Sequence, residues 1–101
     1  MPHLTIQHSD NIARDRMEQL CASLHDVLVE IGLYPLGGIR VRALPCQAYV
    51  IADADPRNAF ADMIFRIGTG RSEADKKLTG ERLMQAAEAV GQRVDVLAEA
   101  A

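Results

Sequence analysis

Apolar and polar residues alternate in three short stretches of the chain, and a period of two is typical of half-buried strands. In the first stretch Leu4 and Ile6 alternate with polar neighbours. Each stretch is bounded by glycine, proline, asparagine, aspartate or serine, which favour turns. The pattern therefore predicts three main strands over residues 3–8, 39–44 and 60–67, with a candidate for a minor strand at residues 48–52.

The same alternation assigns residues to the two faces of each predicted strand. In the second strand Ile39 lies on the apolar face, whereas Arg40 and Arg42 share the opposite face. Pro45 follows, and because proline cannot donate to a strand ladder, we expect it to end this strand. The apolar face of the third strand comprises Ala61, Met63, Phe65 and Ile67.

Two longer segments repeat their apolar residues every three or four positions, which is the spacing of an amphipathic helix. The first helix is predicted from about Ala13 to Ile31, and Gly32 is placed to end it. The second begins near Ser72, and Gly80 inside it costs about 1 kcal/mol relative to alanine. The predicted buried stripes are Met17, Leu20, Leu24, Val27, Leu28 and Ile31 in the first helix and Leu83, Ala87, Val90, Val94 and Leu97 in the second, and the predicted capping residues of the first are Ser9, Asp10 and Asn11.

The order of these elements predicts an α+β fold built as a doubled β-α-β plan. Helices long enough to cross back over a sheet favour parallel strands within each half and lie on one face of the sheet. The other face still carries apolar groups that so small a domain cannot cover. We therefore expect the protein to be an oligomer.

Composition and charge narrow the class of protein. The 101 residues are expected to form a single domain, residues 1–101. No apolar run approaches the ~20 residues that cross a bilayer, and the N-terminus does not resemble a signal peptide, so a cytoplasmic protein without membrane partners is expected. Cys21 and Cys46 have no metal-binding spacing and are expected to be reduced. A net charge of −3 argues against nucleic-acid binding.

Few residues carry an evident chemistry on their own. Pro2 suits the start of a strand, but if Met1 is removed its nitrogen becomes a free secondary amine on a rigid element. The segment IGTGRS, which contains Arg71, lacks the established nucleotide-binding patterns and fits a glycine turn with a surface charge. Arg40 and Arg42 are by default solvent-exposed. The three histidines have no ligand spacing, so no metal site is expected.

Three segments of the chain, taken together, say more about its family than any one of them does alone. PHLTIQHSDNI at the start, GLYPLGGIRVR in the middle and FRIGTGRS before the second helix occur in the order found in one group of proteins. With these motifs the chain resembles the tautomerase superfamily, and within it the 5-carboxymethyl-2-hydroxymuconate Δ-isomerases. The resemblance extends from Pro2 to about Ala87.

The resemblance implies a homotrimer whose amino-terminal proline is the catalytic base and whose small polycarboxylate substrate is a hydroxymuconate from aromatic catabolism. Arg40 and Arg71 match the arginines that bind and polarise the substrate, and Arg42 matches a further arginine to which we assign no role. No cofactor or metal is implied. Family members often continue into a further strand, which we expect to be absent here or to lie beyond the sequence.

The implied site is physically coherent. A guanidinium about 8 Å from the proline nitrogen, at an effective dielectric constant of ~20, disfavours protonation of that nitrogen by about 2 kcal/mol. Apolar neighbours would lower its pKa further by desolvation. Two alternatives stay open: a tautomerase that uses Pro2 on another enol or ketoacid, and a non-catalytic oligomeric module.

Overall fold

The computed structural model describes residues 2–68 and 70–90 in full and the backbone of residues 95–100. This part of the chain forms two helices and four strands, with a 3-10 turn, Leu36–Gly38, in one of the connections. No helix in the described part of the chain is both long enough and apolar enough to cross a membrane. In chain order the elements are β1 (His3–Ser9), α1 (Arg14–Ile31), β2 (Arg40–Cys46), β3 (Phe60–Arg66), α2 (Glu73–Val90) and β4 (Asp95–Ala100).

The four strands form one mixed sheet in the order β2-β1-β3-β4. The first β-α-β unit pairs β1 with β2 in parallel, and the second pairs β3 with β4 in parallel. The two units meet where β1 runs antiparallel to β3, with His3 opposite Arg66 and His8 opposite Ala61. The predicted doubled β-α-β plan is therefore confirmed.

Both helices pack on one face of this sheet, as the sequence predicts. Leu4 and Ile6 of β1 are fully buried, and so is Leu24 of α1. The alternate residues of β1 and β3 face away from the helices and are more exposed. One hydrophobic core thus joins strands and helices, and it comprises Leu4, Ile6, Met17, Leu20, Leu24, Leu28, Tyr34, Ile39, Ala61, Met63, Phe65, Leu83 and Ala87.

Pro45 does not end the second strand, which continues to Cys46. In the sheet β2 has a partner only on the side of β1, so it is an edge strand. A proline is tolerated at an edge because a missing N–H on the outer side removes no ladder bond. The amide of Asp10 also donates to the carbonyl of Cys46 at 3.2 Å, which extends the contact beyond β1.

Residues 47–59 form a loop, so the minor strand predicted at residues 48–52 is wrong. The side-chain amide of Asn58 organises this loop by donating to the carbonyl of Ile51 at 3.0 Å and to the carboxylate of Asp53 at 2.8 Å. Ala52 and Ala54 have φ angles of 51° and 66°, which lie outside the strand region. Local bonds from side chains to the backbone here replace a strand ladder.

The predicted capping of α1 is also wrong. Its N-cap is Ala13, which makes no side-chain capping bond. The Oγ of Ser9 instead accepts from the backbone amide of Phe60 at 3.0 Å, and the side-chain Nδ2 of Asn11 donates to the carbonyl of Asn58 at 2.7 Å. These polar side chains therefore tie the end of β1 to the segment that enters β3.

The last described element is a strand, which overturns the prediction that the second helix extends to Leu97. Helix α2 ends at Val90, and residues 95–100 pair with β3 so that Leu97 lies opposite Asp62. Val94 lies outside the described residues. Leucine, alanine and glutamate favour helix in isolation. The free edge of β3, however, offers backbone partners to this segment, so the further strand that we expected to be missing is present.

Leu24 provides a test of this core. The Leu24→Ala variant should lower the free energy of unfolding by about 2–5 kcal/mol, because a fully buried side chain leaves a cavity. Urea unfolding at a fixed protein concentration measures the loss. Val29 lies on the same helix but is 42% exposed, so Val29→Ala should change the free energy by about 0.5 kcal/mol or less. Equal losses in the two variants would contradict the packing described here.

Candidate active site

A cavity of about 480 Å³ opens at the end of the sheet where β1 begins. Since β1 and β2 are parallel and β3 is antiparallel to them, the start of β2 and the end of β3 lie at the same end of the sheet. The connections from α1 to β2 and from β3 to α2 therefore meet there. Three segments that are far apart in the sequence contribute its lining residues, which are Pro2, Tyr34, Pro35, Gly37, Gly38, Ile67, Gly68 and Arg71.

Pro2 is buried at the end of β1 that borders this cavity. Its carbonyl accepts a hydrogen bond from the amide of Arg40 at 3.0 Å, which fixes the start of β1 against β2. The nitrogen is part of the pyrrolidine ring, so the burial of this residue also holds the nitrogen in place. Met1 lies outside the described residues.

Arg71 also lines the cavity and lies just before α2. The preceding Gly70 has a φ of 100°, a left-handed conformation that glycine adopts without steric cost. Ser72 then caps the helix, because its Oγ accepts from the amide of Asp75 at 3.0 Å. None of the ion pairs in the described part of the chain involves Arg71, so its positive charge is not offset by a neighbouring carboxylate there.

Tyr34 forms the wall beneath Arg71 and was not singled out by the sequence. The guanidinium carbon of Arg71 lies 5.1 Å from the centre of the Tyr34 ring, which is a cation–π contact. The Tyr34 ring also packs against the ring of Phe65 in a T-shaped arrangement, with centroids 5.5 Å apart and planes at 86°. The only signal for Tyr34 in the sequence is its place directly before the PLGG turn.

The hydroxyl of Tyr34 is held by α2. Its oxygen lies 2.8 Å from the Oγ1 of Thr79, which is fully buried. The Oγ1 of Thr79 donates its single proton to the carbonyl of Asp75 at 2.9 Å, since a carbonyl can only accept. The Tyr34 hydroxyl must therefore be the donor in its bond to Thr79.

Arg40 and Arg42 lie on the open face of the sheet, as their alternation predicts, and neither lines this cavity. The Nη1 of Arg40 donates to the carbonyl of Gly37 at 2.8 Å and to that of Ile39 at 3.1 Å, so this side chain braces the turn that forms part of the lining. The Nη1 of Arg42 lies 3.2 Å from the Nδ1 of His3. Of the predicted site residues, the structure thus brings together Pro2 and Arg71.

A larger cavity, of about 880 Å³, lies near the start of α1 and the edge strand β2, but it is a weaker candidate for an active site. Cys21 is among its lining residues. Burial, and then the nearby carboxylate of Glu18, raise the pKa of the Cys21 thiol, so the thiol stays protonated near neutral pH. This argues against a cysteine nucleophile. Among the described residues no group of three or more potential ligands could hold a metal ion.

Comparison with known proteins matches residues 2–96 to the family described as 5-carboxymethyl-2-hydroxymuconate isomerase. The chain belongs to this family of isomerases. Over 86 residues it is 34% identical to the 5-carboxymethyl-2-hydroxymuconate Delta-isomerase of Escherichia coli, an alignment that covers 84% of this chain and 68% of that protein. The predictions of a tautomerase-superfamily chain and of an isomerase are thereby confirmed.

Solved structures support the same assignment. A crystal structure of a 5-carboxymethyl-2-hydroxymuconate delta-isomerase superposes with a TM-score of 0.90 at 33% identity, covering 100% of this chain and 82% of the other. The isomerase from Deinococcus radiodurans R1 gives 0.85 at 34% identity, with 99% and 79% covered. A fused 4-OT solved as an asymmetric trimer, at 19% identity, shares the fold, with a TM-score of 0.73 and 98% and 85% covered.

Thr79→Val tests the bond that holds Tyr34. Valine has nearly the same shape but no acceptor, so the buried Tyr34 hydroxyl loses its partner and the free energy of unfolding should fall by about 1–3 kcal/mol. Thermal or urea unfolding measures the change. Thr79→Ser keeps the hydroxyl and should recover most of the loss, and a serine variant as unstable as the valine variant would contradict this explanation.

Proposed function

We propose that this protein is a 5-carboxymethyl-2-hydroxymuconate Δ-isomerase in which Pro2, exposed by removal of Met1, is the general base. The observation that carries the proposal is that Pro2 and Arg71 line one cavity in a chain of this isomerase family. A base and a cation that line the same cavity are what the shift of a double bond in an anionic enol requires. The reaction needs no cofactor, because it only relocates one proton and one pair of π electrons.

In the proposed reaction the nitrogen of Pro2 removes a proton from the enol hydroxyl, or from the adjacent carbon, of the substrate. The electron pair left behind spreads over the conjugated chain as a dienolate. The protonated proline then returns the proton to a carbon further along that chain, and the double bond moves without any change in the molecular formula. Arg71 stabilises the negative charge that develops, which is commonly the largest contribution to catalysis.

The cavity suits a flat, conjugated carboxylate. Its volume of about 480 Å³ is within the ~300–1,000 Å³ of small-molecule sites. Ile67, Pro35 and the ring of Tyr34 offer apolar surface to a carbon chain. Because the whole protein has a net charge of −3, a local cation is needed to admit an anion. Arg71 supplies that cation, and an arginine fork can bind a carboxylate through two parallel hydrogen bonds.

Arg40 is proposed to bind a second carboxylate. Its Nη1 atom is engaged with two backbone carbonyls, but the guanidinium has five N–H donors in all. The donors on Nε and Nη2 remain for a substrate that reaches past the turn at Gly37. In this role Arg40 both braces the turn and contacts the far end of the substrate. Arg42 is assigned no role.

We further propose a homotrimer. The open face of the sheet carries partly buried apolar residues, including Phe60 and Ile64, that neither helix of this chain covers. The edge strand β2 also carries Leu44, which is 45% exposed. Burial of such a face against other copies is the usual solution for a domain of this size. Solved proteins with this fold include trimers, as the fused 4-OT illustrates.

Two extra residues before Pro2 should reduce kcat by about 10²-fold or more, because they turn the proline nitrogen into an amide that cannot act as a base, and general base catalysis commonly contributes 10²–10⁴-fold. The measurement is UV-monitored isomerisation of 5-carboxymethyl-2-hydroxymuconate by protein whose mass shows that Met1 is gone. Pro2→Ala still presents a free α-amino group, so it should lose less activity than the extended chain. Full turnover by the extended chain would refute the proposed base. An inactive wild-type protein would point to another enol or ketoacid substrate or to a non-catalytic module.

Arg71→Gln should raise KM and also move the acidic limb of the kcat/KM profile to higher pH. Burial of an amine and a cation beside it both disfavour its protonated form, so the proposed site should lower the pKa of the free Pro2 nitrogen. Loss of the cation makes protonation of Pro2 easier, so this pKa rises. Arg14→Gln is the matched control, because it removes the same charge from a side chain that is 92% exposed. Identical profiles for the Arg71 variant and the wild type would contradict the assignment.

A further inference from the structure

Tyr34 connects the cavity cation to the interior of α2. Its ring face lies under the guanidinium of Arg71, with 5.1 Å between the guanidinium carbon and the ring centre. Its hydroxyl is bound to the Oγ1 of Thr79 at 2.8 Å, and its ring forms a T-shaped pair with that of Phe65. Only 7% of Tyr34 is exposed, so the ring has little room to rotate.

The contacts of Tyr34 lead through helix α2 back to the residue that follows Arg71. Thr79 is bonded to the carbonyl of Asp75, and the amide of Asp75 is bonded to the capping hydroxyl of Ser72. Ser72 directly follows Arg71 in the chain, so the backbone that carries Arg71 and the ring that carries its guanidinium are fixed to the same helical turns. A displacement of either one would break one of these hydrogen bonds.

We propose that Tyr34 is a positioning residue that holds the guanidinium of Arg71 over the cavity in the orientation that receives the substrate's carboxylate. The inference rests on the proposed function for its effect on catalysis, but the positioning itself can be measured without substrate. An arginine side chain is long and flexible, and fixing it costs conformational entropy each time a ligand binds. A ring that already fixes the guanidinium lowers this cost, and the apolar ring also excludes water from one face of the cation.

The first experiment measures the contact directly. The ring current of Tyr34 should shift the side-chain NMR signals of Arg71 upfield of those of exposed arginines, and the Arg71→Gln variant identifies these signals. Tyr34→Leu should abolish the shift, whereas Tyr34→Phe, which retains the ring, should retain most of it. An unshifted Arg71 in the wild-type protein, or a shift that survives Tyr34→Leu, would overturn the proposal.

The second experiment is a double-mutant cycle with Tyr34→Leu and Arg71→Gln. Loss of the cation–π contact should raise KM about 5- to 10-fold with a smaller change in kcat. In the Arg71→Gln background the same Tyr34→Leu substitution should have little further effect, because there is no guanidinium left to position. Equal effects of Tyr34→Leu in the two backgrounds would show a merely structural role and overturn the proposal.

Leu83→Ala controls for general loss of stability. Leu83 is buried in α2 but does not line the cavity, so this variant should be destabilised while its KM and the Arg71 signals stay unchanged.

If the wild-type protein shows no isomerase activity, the double-mutant cycle measures the binding of cis,cis-muconate, a conjugated dicarboxylate, by calorimetry. If the protein is inactive but the Arg71 signals show the ring-current shift, the proposed reaction is refuted and the positioning by Tyr34 is not. If neither KM nor muconate binding shows coupling between Tyr34 and Arg71, the positioning alone is refuted.

Discussion

The antiparallel pairing of β1 with β3 is the constraint on which the site depends. Each β-α-β unit by itself pairs two parallel strands, and such a unit could be joined to the other in several ways. Because β1 and β3 run in opposite directions, with His3 opposite Arg66, the beginning of β1 coincides with the end of β3. Pro2 and the connection that carries Arg71 are therefore neighbours although 68 residues separate them in the chain. If these two strands were parallel, Pro2 and the connection that carries Arg71 would lie at opposite ends of the sheet.

The sheet also divides the molecule into a face that supplies stability and a face that remains available. Leu4 and Ile6 point into the core that both helices cover. The alternate positions carry charged groups such as Arg40 and Arg42 beside apolar ones such as Ile64, and neither helix of this chain covers them. The same alternation that builds the core thus places two arginines away from it. One of the two, Arg40, still serves the site, because it braces the turn at Gly37 from outside the cavity.

A single cation can matter at this site because the surroundings of Arg71 are arranged around it. The chain as a whole is acidic, so its long-range field does not attract an anion. The aromatic face of Tyr34 gives the guanidinium a fixed support without neutralising its charge, as a carboxylate partner would. The positive charge of Arg71 therefore remains available to an anion in the cavity. The buried hydroxyls of Tyr34 and Thr79 are both satisfied, which makes this support rigid at no cost in unpaired polar groups.

The sequence alone determined those elements whose pattern repeats along the chain. Three strands and two helices follow from periods of two and of 3.6, and the faces of β3 and α1 follow with them, because periodic burial is a local property. Pro2 and Arg71 were identified as candidates by resemblance. Only the tertiary structure decided the features that depend on a distant partner. The segment 95–100 is a strand because β3 has a free edge, Pro45 stays in β2 because that strand is itself an edge, and Arg40 turns to Gly37 rather than into the cavity. Tyr34 and Thr79 meet across 45 residues of chain, and no local preference of either residue encodes that contact.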